Sequence, residues 1–264
     1  MSKVNQKKLL VMAIYAAEIM LKNGAETYRV EDTINRICRS RDFPYVESYV
    51  TLTGIFISVD TDGEDLNDMI TYVKRINKRV INLNKVAEVN DFSRRFVESR
   101  MPIDEAMAVL KAIDTTLPYS ITLQAVFGGL ASGCFSLLLG ANVLEFFAAL
   151  FTSILVTYSI HKLKQADFNL FITNIAGGGL AAFSAIVLSS LHASVNLDKV
   201  IIGAIMVMVP GVAMTNAIRD SIAGDLVSGL ARGAEALLIA ISIAFGVGFI
   251  LQGWIFLKGG ILPW

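Results

Sequence analysis

Histidine, cysteine and charge are scarce in this chain of 264 residues: two histidines, two cysteines and 17% charged residues, with a formal net charge of zero. Cys38 and Cys134 have no partner nearby and no metal-ligand spacing, so a disulfide framework and a cysteine metal site are excluded and both read as reduced thiols. With His161 and His192 the only histidines, no Ser-His-Asp or Cys-His arrangement is legible, and no catalytic residue, cofactor or metal is expected. A balanced charge also excludes nucleic acid as a partner.

Apolar residues are what the chain has in abundance: 54% are hydrophobic and mean hydropathy is +0.58, which an ordinary soluble domain does not show. The charges are unevenly spread. Residues 1–116 hold 17 of the 23 basic and 17 of the 23 acidic side chains. The expected fold class is therefore a membrane protein, mainly α, with a small cytoplasmic α+β domain at 1–116 and a five-helix transmembrane domain at 117–264.

The start, MSKVNQKKLLVMAIYAAEIMLKNG, imitates a secretory signal, but Glu18 and Lys22 interrupt it. Leu10, Ile14, Ala17 and Leu21 fall at helical spacing, which predicts an amphipathic helix with one buried face. Asn23-Gly24 stops it, and AETYRVEDTINRICRS supplies a second helix with Val30, Ile34 and Ile37 inward. VESYVTLT and IFISVD, separated at Thr53-Gly54, read as a hairpin, and DMITYVKRI as a third strand or, lacking clean alternation, a helix. Residues 82–100 read as a helix with Val86, Val89 and Phe96 on one side, and Pro102 as the first residue of another over about 103–114. Glu26, Arg29, Glu31 and Asp32 are the dense polar cluster of this half. Their three-residue spacings make either an exposed charge ladder or a ligand site.

Beyond Leu117 the apolar runs approach the ~20 residues that cross ~30 Å of hydrocarbon, and spans are expected at about 119–139, 142–160, 168–191, 199–217 and 230–256. Lys162, Lys164 and Arg219 put the soluble half and their own connections on the cytoplasmic side, with the C-terminus outside. Gly128-Gly129, Ser132 and Gly133, the run AGGGLAA, and Gly229 to Gly233 are small-residue faces on which helices approach closely. Five spans with such faces suggest an oligomer or a second membrane protein as partner, besides membrane lipid. Glu145, one turn into the second span, suits either a headgroup contact or proton coupling.

The most informative stretch is VPGVAMTNAIRDSIAGDLVSG, residues 209–229. Pro210 and Gly211 should break the fourth span, freeing carbonyls and helix-end amides of the kind that line transporter cavities. Beyond the break Asn216 and Asp220 share a face beside Arg219. Asp225, Gly229, Arg232 and Glu235 or Ala236 follow along one stripe. Charge that has entered an apolar span is costly unless paired, which marks Arg232 and Glu235 as functional candidates, while Arg219, Asp220 and Asp225 fit a solvated turn equally well. Asn169, Thr173, Asn174 and Gly177 form a similar strip on the third span.

NGAETYRVEDTINRI, then VTLTGIFIS, then VPGVAMTNAIRDSIAGDLVSGLARGAEALLIA, over nearly the whole chain, closely resemble the threonine/serine exporter family, specifically its YjjP-like, amino-terminal-type half. The resemblance implies a cell-membrane exporter of threonine and serine or of a dicarboxylate such as succinate. It also implies a separate small membrane subunit, the YjjB-like half. The expected role is transport, not enzymatic: an antiporter driven by the proton gradient. Its substrate residues would be Asn174, Asn216, Arg219, Asp220, Asp225, Arg232 and Glu235. The alternatives are a membrane-anchored hydrolase or a metabolite sensor built on Glu26, Arg29, Glu31 and Asp32.

Overall fold

The computed structural model describes residues 3–41, 43–60, 69–99 and 101–258. The chain forms two compact units, Met1–Pro118 with Val212–Ala234, and Tyr119–Gly211 with Glu235–Trp264. Residues 212–234, assigned above to the 117–264 domain, therefore pack with the amino-terminal unit.

That first unit begins with α1 (Lys3–Lys22) and α2 (Thr27–Arg39), continues through β1 (Tyr45–Thr51), β2 (Gly54–Asp60) and β3 (Met69–Arg75), and ends its first segment with α3 (Leu83–Glu98) and α4 (Ile103–Thr115). The amphipathic α1 expected from its spacing is present with a wider buried face: Leu9, Met12, Ala16 and Ile19 are buried as well as Leu10, Ile14, Ala17 and Leu21, while Lys7, Lys8 and Val11 are exposed. Apolar residues over most of its circumference make α1 a central element of this unit's core. Glu18, its buried acid, is paired with Lys22 at 2.5 Å and Lys74 at 3.0 Å. Gly24, at φ 93°, takes the left-handed conformation that ends α1.

The strands make one antiparallel sheet in the order β1-β2-β3, with Thr51 opposite Gly54 at the hairpin. Alternation buries Val46, Val50, Ile55, Ile57 and Val59 on its inner side. The ambiguous third run is a strand from Met69, its Asp68 lying outside the described residues. Pro102 is the N-cap of α4 rather than its first helical residue, with extended backbone at φ −61°, ψ 145°.

The second unit holds α5 (Ile121–Leu138), α6 (Val143–Gln165), α7 (Leu170–Leu191) and α8 (Leu197–Ile205), followed by a 3-10 turn over Met206–Met208. At Pro210 the helix is broken, and α9 (Gly211–Ile222) and α10 (Leu226–Leu257) follow; α10 begins in the first unit and continues in the second. Helices α5, α6, α7 and α10 are long and apolar enough to cross a membrane, and α8 with its 3-10 turn and α9, bent by 57° at the break, have together the length and composition of a fifth span or of a re-entrant loop. α10 starts four residues before the expected 230.

The small-residue faces are filled by the chain itself. A Cβ on Gly133 would lie 2.7 Å from the Phe146 ring, and one on Gly178 2.5 Å from the Ile243 carbonyl. Between α5 and α6 a buried Ser132 hydroxyl donates to Ser153 at 2.9 Å. Faces spent this way no longer argue for assembly with other chains.

Candidate functional site

Every ordered turn leaves backbone groups to satisfy, and the turn between α1 and α2 leaves several: the carbonyls of Gly24 and Ala25 and the first amides of α2. Glu26 occupies the N-cap, with φ −64° and ψ 146°, but its side chain makes no capping bond. Groups from α9 and α10 serve instead. Asn216 Nδ2 donates to Gly24 O at 2.9 Å, and Arg232 Nη2 to Ala25 O at 2.6 Å. The Thr27 amide donates to Asp220 Oδ1 at 3.1 Å, and the Thr27 hydroxyl to Asp225 Oδ2 at 2.9 Å. Two carboxylates thus sit at the positive end of the α2 dipole, where negative charge is stabilising.

Local sequence explains the reach of each group. Asn216 and Asp220 are four residues apart and form the buried face of α9. Gly224, at φ 97°, ends α9, and the Asp225 amide closes the turn on Asp220 O at 2.9 Å. Gly229 then lets α10 lie directly on α9: a Cβ there would be 2.2 Å from Ser221 Oγ and 2.9 Å from Ala217 O. That closeness brings Arg232 to Asp220, Nε to Oδ2 at 2.8 Å, both side chains buried.

Glu26 is the other centre of charge. Its Oε1 accepts from Arg219 Nη1 at 2.7 Å and its Oε2 from Arg29 Nη1 at 3.1 Å. Burial alone would push its carboxyl up, but its own backbone amide, Arg219 and Arg29 outweigh that and hold it below the ordinary 4.5. Glu31 moves the other way. Burial, with Asp225, Glu47 and Asp220 nearby, raises its carboxyl against the lowering bond from the Val50 amide.

Seven of the expected residues therefore meet in one network: Glu26, Arg29, Asn216, Arg219, Asp220, Asp225 and Arg232. Of the others, those with described hydrogen bonds or ion pairs make them elsewhere, although the charges of Asp225 and Asp220 act on Glu31. Glu31 accepts from Val50 N at 2.7 Å, and Asp32 pairs with Arg36 instead of continuing a ladder from Arg29. Asn174 and Glu235 belong to the second unit. The Asn174 amide donates to Leu170 O of its own helix at 2.9 Å, and Glu235 is half-buried while Ala236 takes the buried stripe of Gly229 and Arg232. Thr27 and the Gly24 and Ala25 carbonyls escaped sequence reasoning. A threonine just after a helix stop is a faint signal, and a carbonyl gives none.

The network is built of charged and hydrogen-bonding groups paired with one another. Among the described residues, no group of three or more histidine, cysteine, aspartate or glutamate side chains is placed to hold a metal ion.

A family model described as "Putative threonine/serine exporter" matches residues 11–254. The "Probable succinate transporter subunit YjjP" of Klebsiella aerogenes is 25% identical over 259 residues, covering 96% of each chain. Its namesake in Escherichia coli K12 is 25% identical over 96% of this chain and 98% of its own length. A "Probable threonine/serine exporter" of Mycobacterium tuberculosis is 23% identical over 95% of this chain but only 47% of itself, so the chain spans about half of that relative. No solved structure matches. Several membrane-crossing helices together with this match make the chain a multi-pass membrane protein, and it belongs to the threonine/serine exporter family.

Proposed function

We propose that the chain is one component of a cytoplasmic-membrane exporter of small polar metabolites, either threonine and serine or a dicarboxylate such as succinate, driven by the proton gradient. The carrying observation is the ionic network in which the α1–α2 turn of the amino-terminal domain is bonded through Asn216, Arg219, Asp220 and Arg232 to the helices that follow the Pro210 break. Broken helices and paired intramembrane charge are the features on which secondary transporters bind and couple. The amino-terminal domain lies in the cytoplasm, where it receives substrate. A second membrane subunit of the YjjB type completes the path: relatives with similar full-length coverage are named as transporter subunits, while others extend to about twice this length.

A metabolite sensor is the second reading. Glu26 and Arg29, the candidate sensor residues, share bonds with Arg219 of α9, so ligand arrival there would act directly on a segment preceding a span. A membrane-anchored hydrolase has no comparable support.

The test is export from cells lacking their own exporters, loaded with succinate or a threonine-containing dipeptide. They would express the chain with and without a separately encoded YjjB-like subunit. Export that requires both proteins, falls in Arg219→Gln and stops when the proton gradient is collapsed is expected. No export with both proteins confirmed in the membrane rejects the exporter reading, and export that survives gradient collapse rejects proton coupling.

A further inference from the structure

Two arginines converge on Glu26. One carboxylate is held by two guanidinium groups, one on each oxygen, at 2.7 and 3.1 Å. Glu26 itself is 4% exposed, whereas the Arg219 and Arg29 side chains are 56% and 33% exposed. The acid is thus covered by the cations, and the cations face solvent.

Nor does the fold use the Glu26 carboxylate for the task its position offers. At an N-cap a side-chain oxygen ordinarily satisfies the first amides of the helix. Here Asp220 takes the Thr27 amide, and Glu26 points to the arginines instead. Arg232 is differently placed: buried, with Nε on Asp220 and Nη2 on Ala25 O, it has no face to offer a ligand. Of the three arginines in the network, only Arg29 and Arg219 combine convergence on one carboxylate with access from outside.

We propose that Arg29 and Arg219 form a receiving site for the carboxylate of a small metabolite, and that Glu26 is an internal placeholder which the incoming carboxylate displaces. This rests on the exporter reading and names its substrate chemistry. Guanidinium forks match carboxylates in shape and charge, so ligand and Glu26 compete for the same donors. Displacement releases Glu26 from Arg219, one of the bonds joining the α1–α2 turn to α9. A site whose competent form is only fractionally populated binds its ligand more weakly by that fraction, and removing the placeholder restores the difference.

The experiment is calorimetric titration of the detergent-purified full chain at fixed ionic strength with succinate, threonine, phosphate and uncharged succinamide. Succinate and threonine should bind and succinamide should not. Glu26→Gln should tighten succinate binding by roughly tenfold, and Arg219→Gln or Arg29→Gln should weaken it by at least roughly tenfold. If Glu26→Gln does not fold, the half-exposed Arg219 decides the matter. The proposal is overturned if succinate binds the arginine variants as it binds the parent, if Glu26→Gln binds it no better, or if phosphate binds equally well, which marks a general anion site. Arginine-dependent binding with no export under any condition removes the exporter reading and leaves this site standing. Export without arginine-dependent binding does the reverse.

Discussion

Arg232 and Asp220 form a buried ion pair, Nε to Oδ2 at 2.8 Å, with side chains 6% and 0% exposed. Both charges are buried, and the Thr27 amide on Asp220 and the Ala25 carbonyl on Arg232 add hydrogen bonds to the pair. Asp220→Asn keeps the shape but removes the negative charge opposite a buried guanidinium, and a loss of about 3 kcal/mol is expected. The double variant Asp220→Leu with Arg232→Met removes both charges and should recover part of this. It cannot recover all, because the Thr27 amide and Ala25 carbonyl then lose their partners. Thermal unfolding of the parent, Asp220→Leu, Arg232→Met and the double variant measures the coupling. Additive losses would mean that the pair contributes nothing as a pair.

Glu31 gives a pH prediction of definite sign. Its carboxyl titrates above the ordinary 4.5 because burial and the nearby Asp225, Glu47 and Asp220 disfavour the ionised form. The folded protein therefore holds this proton more tightly than the unfolded chain. Its stabilising effect is complete below 4.5 and is lost as pH rises through the raised value. Glu31→Gln removes that loss while keeping an oxygen for the Val50 amide. The variant should match the parent at pH 4 and melt higher at pH 7 and above. A melting difference that does not change with pH would refute the assignment.

Two glycines a short distance apart on α10 separate packing from propensity. A Cβ on Gly246 would lie 2.1 Å from Ile175 O and 2.9 Å from the Gly179 amide, both backbone atoms of α7 that cannot swing aside, whereas one on Gly248 meets nothing within 4 Å. Gly246→Ala should push the two helices apart and reduce the monodisperse fraction in size-exclusion chromatography. Gly248→Ala should be tolerated and gain up to about 1 kcal/mol from helix propensity. Equal behaviour of the two would show that α7 and α10 do not pack this closely.

Much of this architecture was legible because the signals are local. Helix stops at Asn23-Gly24, the hairpin at Thr53-Gly54, the break at Pro210 and the apolar runs all act within a few residues. What escaped depends on contacts distant in sequence. The spacing of α1 shows its face of Leu10, Ile14, Ala17 and Leu21, but only the surrounding helices and sheet explain why Leu9, Met12 and Ile19 are buried too. The candidate site was half legible. Its charged residues stood out in two separate motifs, yet nothing in Glu26 or Arg219 alone states that they are partners across 193 positions. Asp220 and Asp225 fitted a solvated turn until the Thr27 amide and hydroxyl were found on them.

Glu145 was open to a headgroup contact or to proton coupling, and its surroundings favour neither. It is 1% exposed and both oxygens are engaged: Oε2 accepts from the Asn142 amide at 2.6 Å in a capping box, and Oε1 from the Asn196 amide at 2.8 Å. Lys199 lies 3.6 Å from Oε2 and donates to Gly140 O at 2.6 Å, while the Asn142 amide group reaches Ser194 O. One carboxylate thus ties the α5–α6 connection to the α7–α8 connection. A glutamine cannot accept through both positions, so Glu145→Gln should leave one part-buried amide without its acceptor and cost about 1 kcal/mol of stability. A tie of this kind predicts a lower melting temperature with the rate of export per folded protein, and its dependence on the proton gradient, unchanged. A proton-carrying Glu145 predicts the opposite pairing: unaltered melting and export that no longer responds to the gradient. Measuring both quantities on the same preparation decides between them, and Lys199→Met, which removes the cation but neither amide bond, should show a smaller loss of stability in the first case.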